Sequence, residues 1–171
     1  MKAKAGRKAS PERARRLDSL LGLLDEGFDR KAWHGPNLRG SVRGVTAEEA
    51  AWRPAPGRHS VWELVVHAAY WKYAVRRQLT GEKRGSFPLL GSNWFARPDG
   101  PDDAAWQEDL RLLLGEHRRL RAVVEALSPA ALGARPRGSR HTAEALVRGA
   151  AFHDVYHAGQ IQALKRLRGG G

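Results

Sequence analysis

Four segments of the chain carry apolar residues at intervals of three and four, the spacing that places them on one face of an α-helix. Serine, threonine or aspartate, the residue types that cap helix N-termini, stands at the start of each segment. No segment shows the strict alternation of a half-buried strand. The pattern predicts four helices: Ser10 to about Arg30, Ser60 to about Gly81, Asp102 or Asp103 to about Leu127, and Thr142 to about Arg168.

Two long connections, rich in glycine and proline, separate the first three helices. The first connection, residues 31–59, contains one predicted helical turn at residues 46–50. The second, residues 82–101, is long enough, at roughly 3.3 Å per residue, to return along a helix of ~30 Å. Four amphipathic helices without strands predict an all-α four-helix bundle. The length of the second connection permits an up-down-down-up order of the helices.

A chain of 171 residues fits a single domain, which we place at residues 10–168. We expect residues 1–9 to form a basic disordered tail and residues 169–171 to be a frayed C-terminus. The chain has no cysteine, which excludes disulfides, thiolate metal sites and a cysteine nucleophile. It also has no apolar run of the ~18 residues that a membrane span needs, and its basic start lacks a secretory signal segment. We therefore expect a cytoplasmic protein without a membrane partner.

The net charge of +12 raises the question of nucleic-acid binding, because cationic side chains attract phosphates. Much of this excess lies at the termini, with seven cationic residues in residues 1–16 and three in residues 165–168. The chain lacks zinc-finger spacing, an aromatic RNA-binding platform and a glycine-rich phosphate loop. We therefore predict no specific nucleic-acid partner, and polyanion binding through the basic termini is only the third of three functional hypotheses.

Three histidines occupy helix positions where the apolar pattern calls for a hydrophobic residue. His67 lies on the second predicted helix, and His153 and His157 stand one turn apart on the fourth. Burying three unpaired imidazoles would cost roughly 1–3 kcal/mol each, whereas coordination of one metal ion gives every ring a partner. Three histidine ligands leave a coordination position open, as catalytic metal sites do. These three residues are the predicted metal ligands.

The remaining histidines are not assigned to this site. His34, His59 and His141 lie in loops or before a helix cap, and we expect them to be exposed. His117 falls on the apolar face of the third helix. If the second and third helices are parallel and begin level, it lies roughly 12 Å further along the bundle than His67, so we leave it out.

Two acidic residues close to the histidines are also explained without metal. Glu63 stands three residues after Ser60, which makes the pair a capping box, and we favour this role over that of a ligand or general base. Asp154 follows His153 and points away from the metal by helical geometry, so we expect it to contact another helix or to support the ligands from outside.

The segments 59–67 and 153–161 resemble the two signature regions of the DinB/YfiT-like metal-dependent proteins. The resemblance covers most of the chain, including the motifs at residues 33–36 and 52–54. It implies a four-helix bundle in up-down-down-up order that holds one divalent metal ion through His67, His153 and His157. It also points to stress response and to relatives that transfer low-molecular-weight thiols to electrophiles, although the family name does not imply DNA binding.

Several other residues are predicted to surround the metal. Some lie within one turn of a predicted ligand, and others lie in the long connections that could cover the open coordination side. They are Trp71, Tyr156, Gln160, Trp33, His34, Asn93 and Trp94.

The leading hypothesis is a divalent-metal-dependent enzyme, a thiol S-transferase or hydrolase that acts on a small electrophilic substrate. Because the chain has no cysteine, its nucleophile must be a substrate thiol or water. The alternative is a non-catalytic metal- or ligand-binding stress-response protein. Imidazole suits zinc, nickel and iron alike, so the metal stays open. The tryptophan-rich helix surfaces make a homodimer reasonable.

Overall fold

The computed structural model of the chain describes residues 11–169, and its regular structure there is entirely helical. The all-α prediction is therefore confirmed. The predicted tail at residues 1–9, the cap Ser10 and the last two glycines lie outside the described residues. Within residues 11–169, no helix is both long and apolar enough to cross a membrane. The elements are α1 (Pro11–Phe28), α2 (Leu38–Ser41), α3 (Ala47–Ala51), α4 (Val61–Thr80), α5 (Asp103–Glu125), a 3-10 turn (Ala131–Gly133) and α6 (Ala143–Gly169).

The predicted caps account for the ends of the long helices. The Ser60 hydroxyl accepts a hydrogen bond from the Glu63 amide at 3.2 Å, and the Glu63 carboxylate accepts one from the Ser60 amide at 3.0 Å. Gly81 ends α4 in the left-handed conformation, with φ of 76°, which glycine adopts without strain. The side chains of Asp102 and Thr142 accept hydrogen bonds from backbone amides in the first turns of α5 and α6.

Three helix ends differ from the sequence-based prediction. Helix α1 ends at Phe28 and α5 at Glu125, each two residues earlier than predicted, and α6 includes Gly169, which the prediction assigns to a frayed C-terminus. The short α2 was not predicted. Its first turn is held by the Asn37 side chain, which accepts a hydrogen bond from the Gly40 amide at 2.8 Å.

Side-chain contacts show that α4 and α5 run in the same direction. Near the start of both helices, Trp62 Nε1 donates to Asp109 Oδ2 at 2.6 Å. Further along both, the Arg76 guanidinium pairs with Glu116, with Nε and Oε2 3.4 Å apart. The connection of residues 81–102 therefore returns along the bundle, as its length permits.

Helices α1 and α6 run opposite to this pair. Arg121 of α5 donates from Nε to Asp25 of α1 at 2.7 Å. Phe28, which lies later in α1, stacks on His117, which lies earlier in α5, so α1 and α5 are antiparallel. Lys72 of α4 pairs with Asp154 of α6, while Leu64 and Leu164 line one cavity, so α4 and α6 are also antiparallel. These contacts are consistent with the predicted up-down-down-up order.

The apolar core consists of two clusters, one towards each end of the bundle. The first cluster includes Trp62, Val65 and Leu113, and the second includes Leu24 and Val147. Burial of these side chains supplies the main stabilisation, at roughly 25 cal/mol per Å² of apolar surface.

A layer of buried polar side chains separates the two clusters. Lys72 and Asp154 are 1% and 0% exposed, and they form an ion pair. The His117 ring stacks on Phe28 with centroids 3.7 Å apart, and its Nδ1 lies 3.4 Å from Lys72 Nζ. His117 therefore belongs to this layer, which explains its apolar-face position without metal. Asp154 makes the helix contact that we expected of it.

The Lys72–Asp154 pair should be essential to stability. In a Lys72→Met variant, Asp154 would be buried without a charge partner, and we expect the free energy of unfolding to fall by about 3–5 kcal/mol. The double variant Lys72→Met/Asp154→Asn removes both charges and should be more stable than the single variant. Urea denaturation measures both effects. Equal stability of the single and double variants would contradict this interpretation.

His117 should make the protein sensitive to acid. Burial, reinforced by the charges of Lys72 and Arg121, lowers the pKa of His117 from 6.5 to about 3. Unfolded His117 binds a proton below about pH 6.5 and folded His117 does not, so acidification favours unfolding. Between pH 6.5 and about pH 5, the wild type should lose about 2 kcal/mol more stability than His117→Gln. Denaturation curves at several pH values test this, with the exposed His141→Gln as the control.

Candidate metal centre

The structure brings the three predicted metal ligands together. His153 Nε2 lies 3.1 Å from His67 Nε2 and 3.0 Å from His157 Nε2. One ring nitrogen from each histidine lies within 4.8 Å of the other two. His67 and His157 are buried and His153 is half-buried. Two imidazole nitrogens bound to one tetrahedral zinc ion at 2.0–2.1 Å are ~3.3 Å apart, so these separations suit a shared ion.

Two of the three rings are oriented by hydrogen bonds at their outer nitrogens. His67 Nδ1 donates to the Asn93 carbonyl at 2.8 Å, and His157 Nδ1 donates to Gln160 Oε1 at 2.6 Å. The Nε2 atoms of these neutral rings therefore carry lone pairs that face the third ring. Such outer hydrogen bonds fix the tautomer and orientation of metal-binding histidines.

The inner nitrogens cannot all be satisfied by hydrogen bonds among themselves. His153 has at most one hydrogen at Nε2, so it can donate to His67 or to His157 but not to both. In at least one of these two contacts, the Nε2 lone pairs of the two rings therefore face each other with no hydrogen between them. Protons do not resolve this at neutral pH. Burial, followed by the neighbouring histidines, lowers the pKa of His153 to about 3, and burial lowers that of His157 to about 4. A cation that accepts all three lone pairs would resolve it.

The loop before α5 covers His67 through two adjacent residues. Trp94 stacks on the His67 ring, with centroids 3.9 Å apart. Asn93 supplies the carbonyl that orients His67, and its side-chain oxygen accepts a hydrogen bond from Trp71 Nε1 at 2.9 Å. Trp71 is 38% exposed and lies edge-on to the His67 ring, with centroids 6.3 Å apart. Three of the predicted surrounding residues thus contact the cluster.

Buried contacts hold this loop in place. Phe95 is 5% exposed and packs into the first apolar cluster. Arg97 pairs with the buried Asp109 at 2.6 Å, and the same carboxylate accepts the Trp62 indole hydrogen. The position of Trp94 over His67 is therefore set by the packing of α4 against α5.

An open cavity of about 510 Å³ adjoins the three histidines. Gln160 and Tyr156 both line it, and Gln160 Nε2 donates to the Tyr156 hydroxyl at 3.2 Å. None of the described residues that line the cavity is acidic, so no carboxylate completes the coordination from this side. The lining residues are Pro54, Arg58, His59, Leu64, His67, Trp94, His153, Tyr156, His157, Gln160, Ala163 and Leu164.

The structure does not place two of the predicted surrounding residues at this cavity. Trp33 is fully exposed at 102%, His34 is also exposed, and neither lines the cavity. In this structure, neither residue covers the three histidines. Their segment instead makes a local turn, with a bridge between Ala32 and Gly35.

Sequence reasoning missed His59 as a residue of the cavity. Its side chain is 45% exposed, as expected for a loop residue, yet it lines the cavity and stacks on Trp94 with centroids 3.6 Å apart. The sequence does contain one signal: His59 lies four residues before Glu63, so the two side chains can meet at the start of α4. Glu63 has the predicted capping role and also pairs with Arg53, and it is not part of the histidine cluster.

The fold and the site together define a class: helical proteins with three inward-facing histidines beside an open cavity. A family model described as the DinB superfamily matches residues 31–161, about three quarters of the chain, so the chain belongs to the DinB superfamily. This confirms the family assigned by resemblance. A search of curated proteins and a search of solved structures each gave no match.

The backbone of Asn93 offers a test of how the loop is held. Asn93 is the one residue other than glycine with a positive φ in residues 11–169, at 68°. Asparagine and glycine tolerate this conformation, whereas a β-branched residue is strained there. We expect Asn93→Val to be less stable than Asn93→Gly by about 1–2 kcal/mol, because both variants lose the contact with Trp71 but only valine adds strain. Chemical denaturation makes the comparison, and equal stabilities would contradict it.

Proposed function

We propose that the protein binds one divalent metal ion through His67, His153 and His157 and uses it in catalysis. The observation that carries this proposal is the convergence of three neutral ring nitrogens, two of them oriented by Asn93 and Gln160, with their lone pairs facing one another. An all-imidazole donor set suits zinc, nickel or iron.

The cavity supports a small-molecule substrate. Its volume of about 510 Å³ lies within the range typical of ligand pockets. Apolar side chains such as Leu64 and Leu164 form part of the wall, and Arg58 adds a cationic group. Because these residues and the histidines share one cavity, a substrate held by the wall would have its reactive group beside the metal ligands.

We infer that the reaction is thiol transfer to, or hydrolysis of, a small electrophile. A bound divalent ion supplies a Lewis acid that lowers the pKa of a thiol or of water. The protein contributes the three ligands, the hydrogen bonds that orient them and a cavity that selects the electrophile. The nucleophile comes from outside the chain, since the sequence has no cysteine. A low-molecular-weight thiol is the leading candidate.

Metal analysis of protein purified without an affinity tag tests the site. After incubation with zinc, nickel or iron(II), the wild type should hold about one ion per chain. His153→Ala should bind at least about 100-fold more weakly, because loss of a supporting residue outside the ligands already costs 10–100-fold. His141→Ala is the matched control, since His141 is exposed and outside the cavity. A wild type that retains no metal after repletion would overturn the proposal.

The metal-loaded protein then separates the two leading hypotheses. Thiol conjugation to activated aromatic halides and epoxides, or ester hydrolysis, should proceed faster with the wild type than with His153→Ala. Stoichiometric metal binding without turnover of any of these substrates would instead favour the non-catalytic metal- or ligand-binding protein. We also propose that the protein is cytoplasmic and forms a homodimer.

A further inference from the structure

A second group of ionisable side chains meets the same cavity from the start of α4. His59 Nδ1 lies 3.2 Å from Glu63 Oε2, and the His59 ring lines the cavity. Behind this pair, Arg53 contacts both carboxylate oxygens of Glu63, at 2.5 and 3.0 Å. The order of contacts leading away from the cavity is therefore histidine, carboxylate and guanidinium.

These contacts keep the Glu63 carboxylate ionised and orient the His59 ring. Burial by itself would raise the pKa of Glu63, but hydrogen bonds from Arg53, the Ser60 amide and His59 lower it below its ordinary value. An ionised carboxylate only accepts hydrogen bonds, so the shared hydrogen lies on His59 Nδ1. A neutral His59 then carries its lone pair on Nε2, the nitrogen that does not contact Glu63.

His59 also lies close to the three-histidine site. Its ring and the His67 ring both stack on Trp94, at 3.6 and 3.9 Å between centroids, which places the two imidazoles within ~8 Å of each other. Trp94 separates them, so His59 is not a fourth ligand. His59 and the ligands line the same cavity, so a molecule bound beside the ligands can pass a proton to His59 through a bridging water.

The fold does not require a histidine at this position. Glu63 already receives the Ser60 amide as part of the capping box and the guanidinium of Arg53 as an ion pair. Because these partners satisfy the carboxylate, His59 adds a half-exposed, oriented imidazole that the cap and the ion pair do not need. An imidazole oriented by a carboxylate is the arrangement of a general base.

We propose that His59, held by Glu63, accepts the proton that a thiol gives up when it binds at the three-histidine site. This inference rests on the proposed function. The S–H bond breaks, the sulfur keeps the electron pair and becomes a thiolate, and the proton moves to His59 Nε2. The Glu63 carboxylate then stabilises the imidazolium through the hydrogen on Nδ1. The proton can later pass to the leaving group or the product.

Calorimetry can count this proton without any turnover. Zinc-loaded protein is titrated with 2-mercaptoethanol at pH 7.5 in phosphate and in Tris, buffers that differ in ionisation enthalpy, so that the difference in heat reports the protons released to solvent. The wild type should release well under one proton per thiol bound. His59→Gln should release about one, because the proton then goes to the buffer.

Two further variants test whether the change in proton release is due to the His59–Glu63 pair. Glu63→Gln retains an acceptor for the capping box and should release more protons than the wild type, because His59 loses the charge that stabilises its protonated form. His141→Gln should behave as the wild type. Metal content and the melting temperature of each variant, measured in parallel, show whether it is folded and loaded.

The possible failures are distinguishable. If zinc-loaded wild type binds no thiol, both the proposed thiol chemistry and the role of His59 are overturned. If the wild type and His59→Gln bind the thiol and release the same number of protons, only the role of His59 is overturned. If His59→Gln does not fold, the same comparison with Glu63→Gln decides the question.

Discussion

The ion pair between Lys72 and Asp154 is the interaction on which the rest of this structure depends. It lies in the polar layer between the two apolar clusters, and both side chains are almost completely buried. Charges in such a place cost several kcal/mol to desolvate, and only close mutual contact offsets that cost. Any sliding of α4 against α6 would separate them. The pair therefore selects one register of the two helices from the many that apolar contacts alone would permit.

That register also assembles the histidine cluster. His67 lies five residues before Lys72 on α4, and Asp154 lies between His153 and His157 in the sequence of α6. When Lys72 meets Asp154, the antiparallel helices bring His67 opposite the two histidines. Asp154 points to the polar layer while its neighbours face the cavity, so one short stretch of α6 serves both stability and the site. The position of the histidines is thus fixed by the buried ion pair, because Asp154 directly follows His153 in the chain.

The helical part of this architecture was predictable because its signals are local. Caps such as Ser60 and the spacing of His153 and His157 depend on residues within one or two turns, and the structure follows them. The loops were less predictable because their paths depend on distant partners. Trp94 reaches His67 because Phe95 and Arg97 anchor its loop, whereas Trp33, in the other long connection, lies in a local turn and is exposed. The role of His59 in the cavity likewise appears only when the loop is placed over α4.

The unsatisfied lone pairs of the cluster explain why this site is costly without a cation. The bundle brings three ring nitrogens within 4.8 Å, and the hydrogen bonds to Asn93 and Gln160 prevent two of the rings from turning their protons inward. A protein selected for stability alone would place apolar residues at these positions. The folded state instead keeps Nε2 lone pairs that face one another. An ion that binds only the folded state would pair with them, and the stabilisation would grow with the logarithm of the ratio of ion concentration to Kd. The departure from full hydrogen bonding thus coincides with the candidate metal centre, which is where such departures are expected in a folded protein.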